Sequence, residues 1–268
     1  MIDHALACRI ERAEAIAGRA FALAARAANP AGGAAAEPHC GGWALYSGAG
    51  SPVNQALGIG LKGPVEAAEF EALERFFFER GEPAIYEVCP FSDPSLLPRL
   101  AERGYRMTEL SQVLFRPIEG FLPAPHAAGL EIFRAGSEEA SLWSEIVARG
   151  FFEGEEPPAE IVTIMAGMSA AESTASWIVR CEGIPAGGGS VQQAEGVALF
   201  AGQSTLPEYR GRGIQSALIR EGLAYAKACG ADLAAAMTLP GSGSQRNFER
   251  AGFLVAYTRV KVQRDVPL

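Results

Sequence analysis

Two stretches of this chain, one in each half, repeat the same order of local sequence signals. Each contains a helix ending at a glycine, a strand ending at a proline, a short helix, and a Gly-aromatic pair that precedes a terminal strand. The matching residues are Gly81, Pro90 and Gly104-Tyr105 in the first stretch, and Gly230, Pro240 and Gly252-Phe253 in the second. The two glycines are 23 residues apart in the first and 22 in the second. We therefore interpret the chain as an internal repeat of one small α/β domain, with chance similarity between two α/β halves as the alternative.

A segment rich in Pro, Gly and Ala, Pro117 to Gly129, separates the two stretches. Such a segment opposes regular structure and is typical of a linker. The length of 268 residues fits either one large domain or two small ones. We predict two domains, 1–120 and 126–268. Each is expected to have an α/β (α+β) fold, with a mixed, mostly antiparallel sheet flanked by helices.

Hydrophobic periodicity and turn residues predict the individual elements. In the first half these are helices at 5–28, Val65–Arg80 and Ser95–Arg103, and strands at Gly42–Ser47, Val53–Gly60, Ala84–Val88 and Met107–Arg116. In the second half they are helices at Glu138–Arg149, Ala159–Met168, Ile214–Ala228 and Gln245–Arg250, and strands at Leu130–Arg134, Ser176–Arg180, Val197–Thr205, Leu233–Thr238 and Leu254–Arg264. The glycines from Gly187 to Gly189 are predicted to form a hairpin turn.

The charge balance argues against several classes of partner. With 31 acidic and 23 basic residues the net charge is −8, which disfavours general binding to nucleic acids or to anionic membranes. Five cysteines without a CxxC pair and three histidines give no sign of a disulfide framework or of a metal site. Charged residues, including Arg9, Glu11 and Arg12, interrupt the Ala-rich N-terminal segment, so we expect neither an export signal nor a membrane span. The expectation is a cytoplasmic protein, monomeric or homodimeric.

A glycine-rich basic sequence, Arg210-Gly211-Arg212-Gly213, follows the strand Val197–Thr205 and directly precedes a helix. Glycine lets the backbone approach an anion closely, and the first turn of a helix presents N–H groups without intrahelical partners. Arginine adds planar donors suited to phosphate. This segment matches neither the GxxxxGK[ST] nor the GxGxxG phosphate loop. The pattern therefore indicates an anion site of another kind, with an ordinary basic surface turn as the alternative.

This segment resembles motif A, [QR]xxGx[GA], of the GCN5-related N-acetyltransferases (GNAT). Arg210 and Gly213 match the motif, while Gln215 replaces its final small residue. The resemblance covers residues 129–264 and implies acetyl-coenzyme A as co-substrate. It also implies a set of binding residues. These are Gln203, Ser204 and Thr205 for the pantetheine amides, Arg210, Gly211, Arg212, Gly213, Ile214, Gln215 and Ser216 for the pyrophosphate, and Ser244 and Asn247 beside the pantetheine arm.

Two of these implied residues have a structural alternative, since Ser244 and Asn247 could be helix-capping or solvent-facing residues. The first half resembles a degenerate copy of the same domain. Its corresponding segment, Leu57 to Ala67, lacks the arginine of the motif, and Pro64 alters the start of the helix. We predict that this copy does not bind coenzyme A.

The resemblance is weaker for catalysis. Family members often carry a tyrosine four residues before the glycine of the Gly-Phe pair, where it protonates the leaving thiolate. The residue here is Phe248, which has no proton to give. Tyr257, on the following strand, is the candidate substitute.

A general base is equally hard to find. The strand Val197–Thr205 contains no carboxylate, and Glu195 falls before it. The acidic loop with Glu153, Glu155 and Glu156 lies where family members admit substrate and could attract an ammonium group. A solvated acidic loop is the alternative. Glu153 is the candidate catalytic carboxylate.

Taken together, the sequence predicts transfer of an acetyl group to an amine of a small molecule or peptide. An O-acyltransferase and a non-catalytic acyl-CoA sensor or interaction protein remain the alternatives.

Overall fold

The computed structural model describes residues 2–123 and 125–267 and divides the chain into two compact units. The first unit contains Met1–Val113 together with Ala256–Leu268, and the second contains Leu114–Val255. The C-terminal segment therefore belongs to the first compact unit, although the sequence interpretation grouped it with residues 126–255. The division into two repeated domains, 1–120 and 126–268, stays a prediction.

The first unit is a sheet flanked by helices. Its helices are α1 (His4–Ala28), α2 (Ala67–Phe78) and α3 (Leu96–Glu102), and its strands are β1 (Ala35–His39), β2 (Gly42–Tyr46), β3 (Gln55–Leu57), β4 (Ala84–Val88) and most of β5 (Arg106–Pro117) and β11 (Leu254–Arg264). The strand order is β1-β2-β3-β4-β11-β5. Pairing is parallel between β3 and β4 and antiparallel for β1–β2, β2–β3 and β4–β11. The chain's last strand thus pairs with β4, from Val260–Val88 to Arg264–Ala84.

The second unit is also a sheet flanked by helices. Its strands are β6 (Leu130–Ala135), β7 (Thr174–Cys181), β8 (Ile184–Ala194), β9 (Val197–Thr205) and β10 (Leu233–Thr238), and its helices are α4 (Ala140–Phe151), α5 (Ala159–Ala170), α6 (Ile214–Ala228) and α7 (Gly243–Arg250). The strand order is β10-β9-β8-β7-β6. Pairing is parallel between β9 and β10 and antiparallel elsewhere in this series. Each unit is a mixed, mostly antiparallel sheet with helices, so the predicted fold class is confirmed.

The apolar stripe of α6 explains where the second core lies. Ile214, Leu218 and Leu223 are buried and belong to one cluster with Phe200 of β9 and Val191 of β8. These helix positions recur at helical spacing, so one face of α6 packs on the sheet while the other faces solvent. The packing fixes the position of the first turn of α6, where the anion site is predicted.

The predicted hairpin turn at Gly187–Gly189 is wrong, because all three residues lie within β8. The turn is at Glu182-Gly183, where both residues have positive φ, and Cys181 pairs with Ile184. The glycines serve close packing instead. An added Cβ would lie 2.6 Å from Ile214 Cγ2 at position 187, 2.9 Å from Val147 Cγ2 at 188, and 2.5 Å from Gln203 Nε2 at 189. The strand predicted at Val53–Gly60 is also shorter than expected, since β3 covers Gln55–Leu57.

A buried charged cluster lies in the first unit. Arg259 on β11 is 1% exposed and contacts Glu11 at 3.3 Å, Glu87 at 3.5 Å and also Glu14. The hydroxyl of Tyr257 donates a hydrogen bond to Glu11 at 2.8 Å. Three carboxylates thus share one guanidinium. Burial, reinforced by Glu14 and opposed by Arg259, raises the pKa of Glu11 from 4.5 to about 7.

We expect Glu11 to make stability fall as the pH rises from about 4.5 to about 7. Over this range the folded chain holds a proton on Glu11 that the unfolded chain has released, so raising the pH favours unfolding. This loss of unfolding free energy is absent below pH 4.5 and complete above pH 7, where it amounts to about 3 kcal/mol. Glu11→Gln should remove this slope. Urea unfolding of both proteins across pH 4 to 8 measures it, and identical slopes would contradict the assignment.

No helix within residues 2–123 and 125–267 is long and apolar enough to cross a membrane.

Candidate active site

Strands β9 and β10 separate at their C-terminal ends. Their pairing runs from Leu233–Val197 to Ala236–Phe200, whereas β9 continues to Thr205 and β10 to Thr238. A cavity of about 730 Å³ lies at this open end. Its walls are the end of β9, the loop before α6, the first turn of α6, and α7. A cavity of this size at divergent strand ends is typical of a ligand site.

The first turn of α6 presents backbone donors to this cavity. Gly213 is the N-cap with φ of 81°, and no side chain caps the turn in the described chain. The first intrahelical bond is from Ala217 N to Gly213 O at 3.0 Å, so the N–H groups of Ile214, Gln215 and Ser216 have no partner within the helix. Gly211 has φ of 78°, and a Cβ there would meet nothing within 4 Å. This backbone suits an anion.

Arg210 is held at the cavity by three neighbours. Its guanidinium binds Glu153 through two nitrogens at 2.6 and 3.1 Å, and donates to the carbonyls of Gly150 at 3.3 Å and Thr205 at 3.4 Å. The hydrogen bond from Arg210 lowers the pKa of Glu153, and the same bond raises the pKa of Arg210. A carboxylate thus already occupies the anion-binding edge of Arg210.

Arg212 lies differently from the other predicted binding residues. It is the one predicted cofactor residue that does not line the cavity. Its guanidinium is 3.7 Å from Cys181 Sγ and 3.9 Å from Glu182, and lies over the ring of Tyr209.

Gln215 connects α6 to α7. Its amide nitrogen donates to Ser244 Oγ at 2.8 Å, and its amide oxygen accepts from Asn247 at 2.7 Å. The residue that departs from the motif therefore closes a hydrogen-bonded bridge across one side of the cavity. Ser244 and Asn247 have a side-chain role in this bridge, in addition to lining the cavity.

The end of β9 carries buried polar atoms without partners. Ser204 is 6% exposed, and its Oγ forms no hydrogen bond within the described chain; the same holds for Gln203 Oε1. The amide nitrogen of Gln203 donates to Ser190 O at 3.3 Å. A Cβ at Gly150 would lie 1.9 Å from Ser204 Oγ, so only glycine lets α4 approach this strand. Unpaired buried polar atoms are costly unless a ligand or water satisfies them.

The two aromatic residues considered for proton transfer are both buried. Phe248 is 2% exposed and packs edge-on against Phe200 and Phe253, with ring centroids 5.5 and 4.9 Å away. Tyr257 lies in the first compact unit, where its hydroxyl donates a hydrogen bond to Glu11. Burial, followed by the negative charge of Glu11, raises the pKa of Tyr257. The role predicted for Tyr257 as proton donor gains no support from these contacts and stays a prediction.

Several cavity residues were not identified from the sequence. They are Gly150, Phe151, Tyr209, Leu239, Gly243 and Arg250. Tyr209 directly precedes the basic loop, and Leu239 directly follows β10, so proximity to these motifs was an available signal. Phe151 begins the acidic loop that the sequence singled out, whereas Gly150, near the end of α4, gave no signal.

The comparisons with known proteins agree with this geometry. Residues 141–253 match the family model described as the acetyltransferase (GNAT) family. A solved GCN5-related N-acetyltransferase from Kribbella flavida has a TM-score of 0.65 at 19% identity, covering 93% of this chain and 96% of its own. A GCN5-related N-acetyltransferase from Sphaerobacter thermophilus has a TM-score of 0.55 at 16% identity, covering 70% of this chain and 61% of its own.

A tandem GNAT protein from the clavulanic acid biosynthesis pathway has a TM-score of 0.56 at 16% identity, covering 75% of this chain and 70% of its own. No curated protein matches the sequence. These identities are low, so the solved structures establish the fold. The segment 141–253, which carries the open strand end, the glycine-rich loop and α6, matches the acetyltransferase (GNAT) family, and the chain as a whole has the GNAT fold.

Proposed function

We propose that this protein transfers an acetyl group from acetyl-coenzyme A to an amine of a small molecule or peptide. The family match supports acyl transfer from an acyl-CoA. The observation that carries the finer proposal is the uncapped first turn of α6 beside Arg210, at the open end of β9 and β10. We also propose a cytoplasmic location.

The cavity residues fit two parts of coenzyme A, its pyrophosphate and its pantetheine arm. The N–H groups of Ile214 to Ser216 and the guanidinium of Arg210 would hold the pyrophosphate, since helix N-termini and arginine both favour phosphate. Gln203 to Thr205 would bind the pantetheine amides, and the unpartnered Ser204 Oγ and Gln203 Oε1 would gain partners. The thioester supplies the activated acetyl group.

Glu153 competes with the cofactor for Arg210. Its carboxylate holds Arg210 through two hydrogen bonds, so an incoming pyrophosphate competes with it for the same guanidinium. A carboxylate with a lowered pKa is also a poor base. We therefore propose that Glu153 acts on binding, and that Glu155 and Glu156 attract the ammonium group of the acceptor.

Orientation of the two bound reactants would provide most of the rate enhancement. Holding an amine against a thioester in the correct geometry contributes about 7–11 kcal/mol, and water can take the proton of the amine. A non-catalytic acyl-CoA sensor is the second candidate, because the family's proton-donor position is Phe248, which is buried among aromatic rings. An O-acyltransferase is a further alternative.

Thiol release from acetyl-CoA, measured against a panel of amines and alcohols, distinguishes these functions. Turnover with an amine is the expected result. Turnover with alcohols alone would favour the O-acyltransferase, and tight acetyl-CoA binding without turnover would favour the sensor.

Arg210→Ala is expected to weaken acetyl-CoA binding about 10-fold or more, because a charge-assisted hydrogen bond is worth about 1.5–3 kcal/mol. Isothermal titration measures the affinity. Arg212→Ala is the matched control from the same loop, and its effect should be smaller because its guanidinium does not line the cavity. Equal losses in the two variants would contradict the proposed role of Arg210.

A further inference from the structure

A second cavity, of about 370 Å³, lies within the first unit. One wall is α1, which contributes Cys8, Arg12 and Arg19 at spacings of four and seven residues. These spacings place the three residues on one face of the helix. The opposite wall is the start of β2, with Trp43, and the loop after β3, with Lys62. None of these residues belongs to the site proposed for acetyl-CoA.

The rim of this cavity is positively charged although the chain carries a net charge of −8. Arg12, Arg19 and Lys62 line it, and no acidic residue does within the described chain. Arg19 lies over the Trp43 ring at 4.9 Å from its centroid. In the same described part, neither Arg19 nor Lys62 forms an ion pair with a carboxylate. Two cations that protein carboxylates leave unpaired give this cavity a local attraction for anions.

The stem of Lys62 lies against Gly41. A Cβ at Gly41 would lie 3.2 Å from Lys62 Cβ, 3.5 Å from its Cγ and 3.6 Å from its Cδ, so the aliphatic stem lies along the Gly41 backbone. Because Gly41 has φ of 80°, a side chain there would be strained as well as crowded. Lys62 is exposed, so it is accessible to an anion at the cavity.

Part of the cavity lining is apolar. Ile16 of α1 and Leu61 of the opposite loop contribute to it, together with the Trp43 ring. Apolar side chains and cations in one cavity favour a ligand with an anionic head and an apolar body.

The neighbouring helix start does not supply a phosphate site of the kind found at α6. The N-cap of α2 is Glu66, and Glu69 lies in its first turn. Carboxylates at this end oppose a second anion there. The attraction in the first unit therefore comes from the rim of the cavity on α1.

We propose that this cavity binds a small organic anion, a carboxylate or phosphate group joined to an apolar body. Arg19 and Lys62 bind the head, while Ile16, Leu61 and Trp43 contact the body. The site lies beyond the proposed acetyl transfer and does not depend on it.

Cys8 provides a reporter inside the cavity. Its thiol is partly exposed and lies 3.9 Å from Leu61 O, and Cys229 in the second unit is an exposed thiol. The intact chain is treated with N-ethylmaleimide in the presence of octanoate or phenyl phosphate, and alkylation at each cysteine is followed by peptide mass spectrometry. We expect each effective probe to slow alkylation of Cys8 saturably, at least about 5-fold, with no change at Cys229. Protection by one probe alone identifies the preferred head group.

Variants test whether the rim binds the head. In the double variant Arg19→Ala, Lys62→Ala, the probe concentration that half-protects Cys8 from alkylation should rise at least about 10-fold. Arg26→Ala, an exposed position in the last turn of α1, is the matched control and should leave protection unchanged. The proposal is overturned if neither anion protects Cys8, if uncharged octanol protects it equally well, or if the double variant retains full affinity.

Discussion

Replacing Arg259 with Met is expected to lower the free energy of unfolding by about 3–5 kcal/mol. The guanidinium is 1% exposed and contacts Glu11, Glu14 and Glu87. Burial alone would lower the pKa of Arg259, but these three carboxylates raise it well above its ordinary value. Methionine keeps much of the volume and removes the charge, so buried carboxylates lose their common partner.

Urea unfolding at neutral pH measures this loss, and two further variants identify its cause. Lys261→Met removes a cation that is 25% exposed and paired with Glu87 and Glu109, so its loss should be smaller. Glu11→Gln in the Arg259→Met background should restore part of the stability, because it removes the cost of burying an ionisable group that has lost its counter-charge. A loss below about 1 kcal/mol for Arg259→Met would contradict the view that the cluster is held by its charges.

The sequence predicted several elements of the second half of the chain most accurately. The bounds of β9, β10, β11 and α6 are those expected, because each has a clear apolar period and ends near a glycine, a proline or a charged turn. The placement of Ala256–Leu268 in the first unit could not be predicted from apolar periodicity and turn residues. It depends on pairing between Val260 and Val88, which are far apart in sequence, and local periodicity carries no information about such partners.

The glycines of β8 show a similar limit. A run of three glycines usually indicates a turn. Here it reflects side chains from α4, α6 and β9 that meet only in the folded chain. Turn chemistry is local, whereas the space available for a Cβ is a tertiary property.

The backbone part of the candidate site was the predictable part. A glycine-rich loop between a strand and a helix creates uncapped N–H groups by local geometry alone. The side-chain part was not predictable, because Gln215 with its partners on α7 and Arg210 with Glu153 are pairs of residues about 30 and 57 positions apart. The acidic loop was identified as a region that admits substrate, but its contact with Arg210 required the structure.

Trp143→Ala is expected to cost about 3–5 kcal/mol of unfolding free energy and also to weaken acetyl-CoA binding. Trp143 is fully buried, and its indole nitrogen donates to Gly189 O at 3.2 Å. Its ring fills the space left by two glycines, being 3.1 Å from a Cβ at Gly202 and 3.2 Å from one at Gly188. Truncation therefore leaves a cavity and an unsatisfied carbonyl beneath the end of β9, which carries the residues proposed to bind pantetheine.

Comparison with another buried tryptophan separates the effect on the site from the loss of stability. Trp177 on β7 is 4% exposed and packs edge-on against Tyr225 of α6, so Trp177→Ala should also destabilise the fold. At a temperature where both variants are folded, we expect Trp143→Ala to bind acetyl-CoA more weakly than Trp177→Ala. Trp143→Phe, which retains an aromatic ring and loses the hydrogen bond, should cost about 1–2 kcal/mol. Equal acetyl-CoA affinity in the two alanine variants would mean that Trp143 supports the core alone, and that the end of β9 keeps its binding geometry without it.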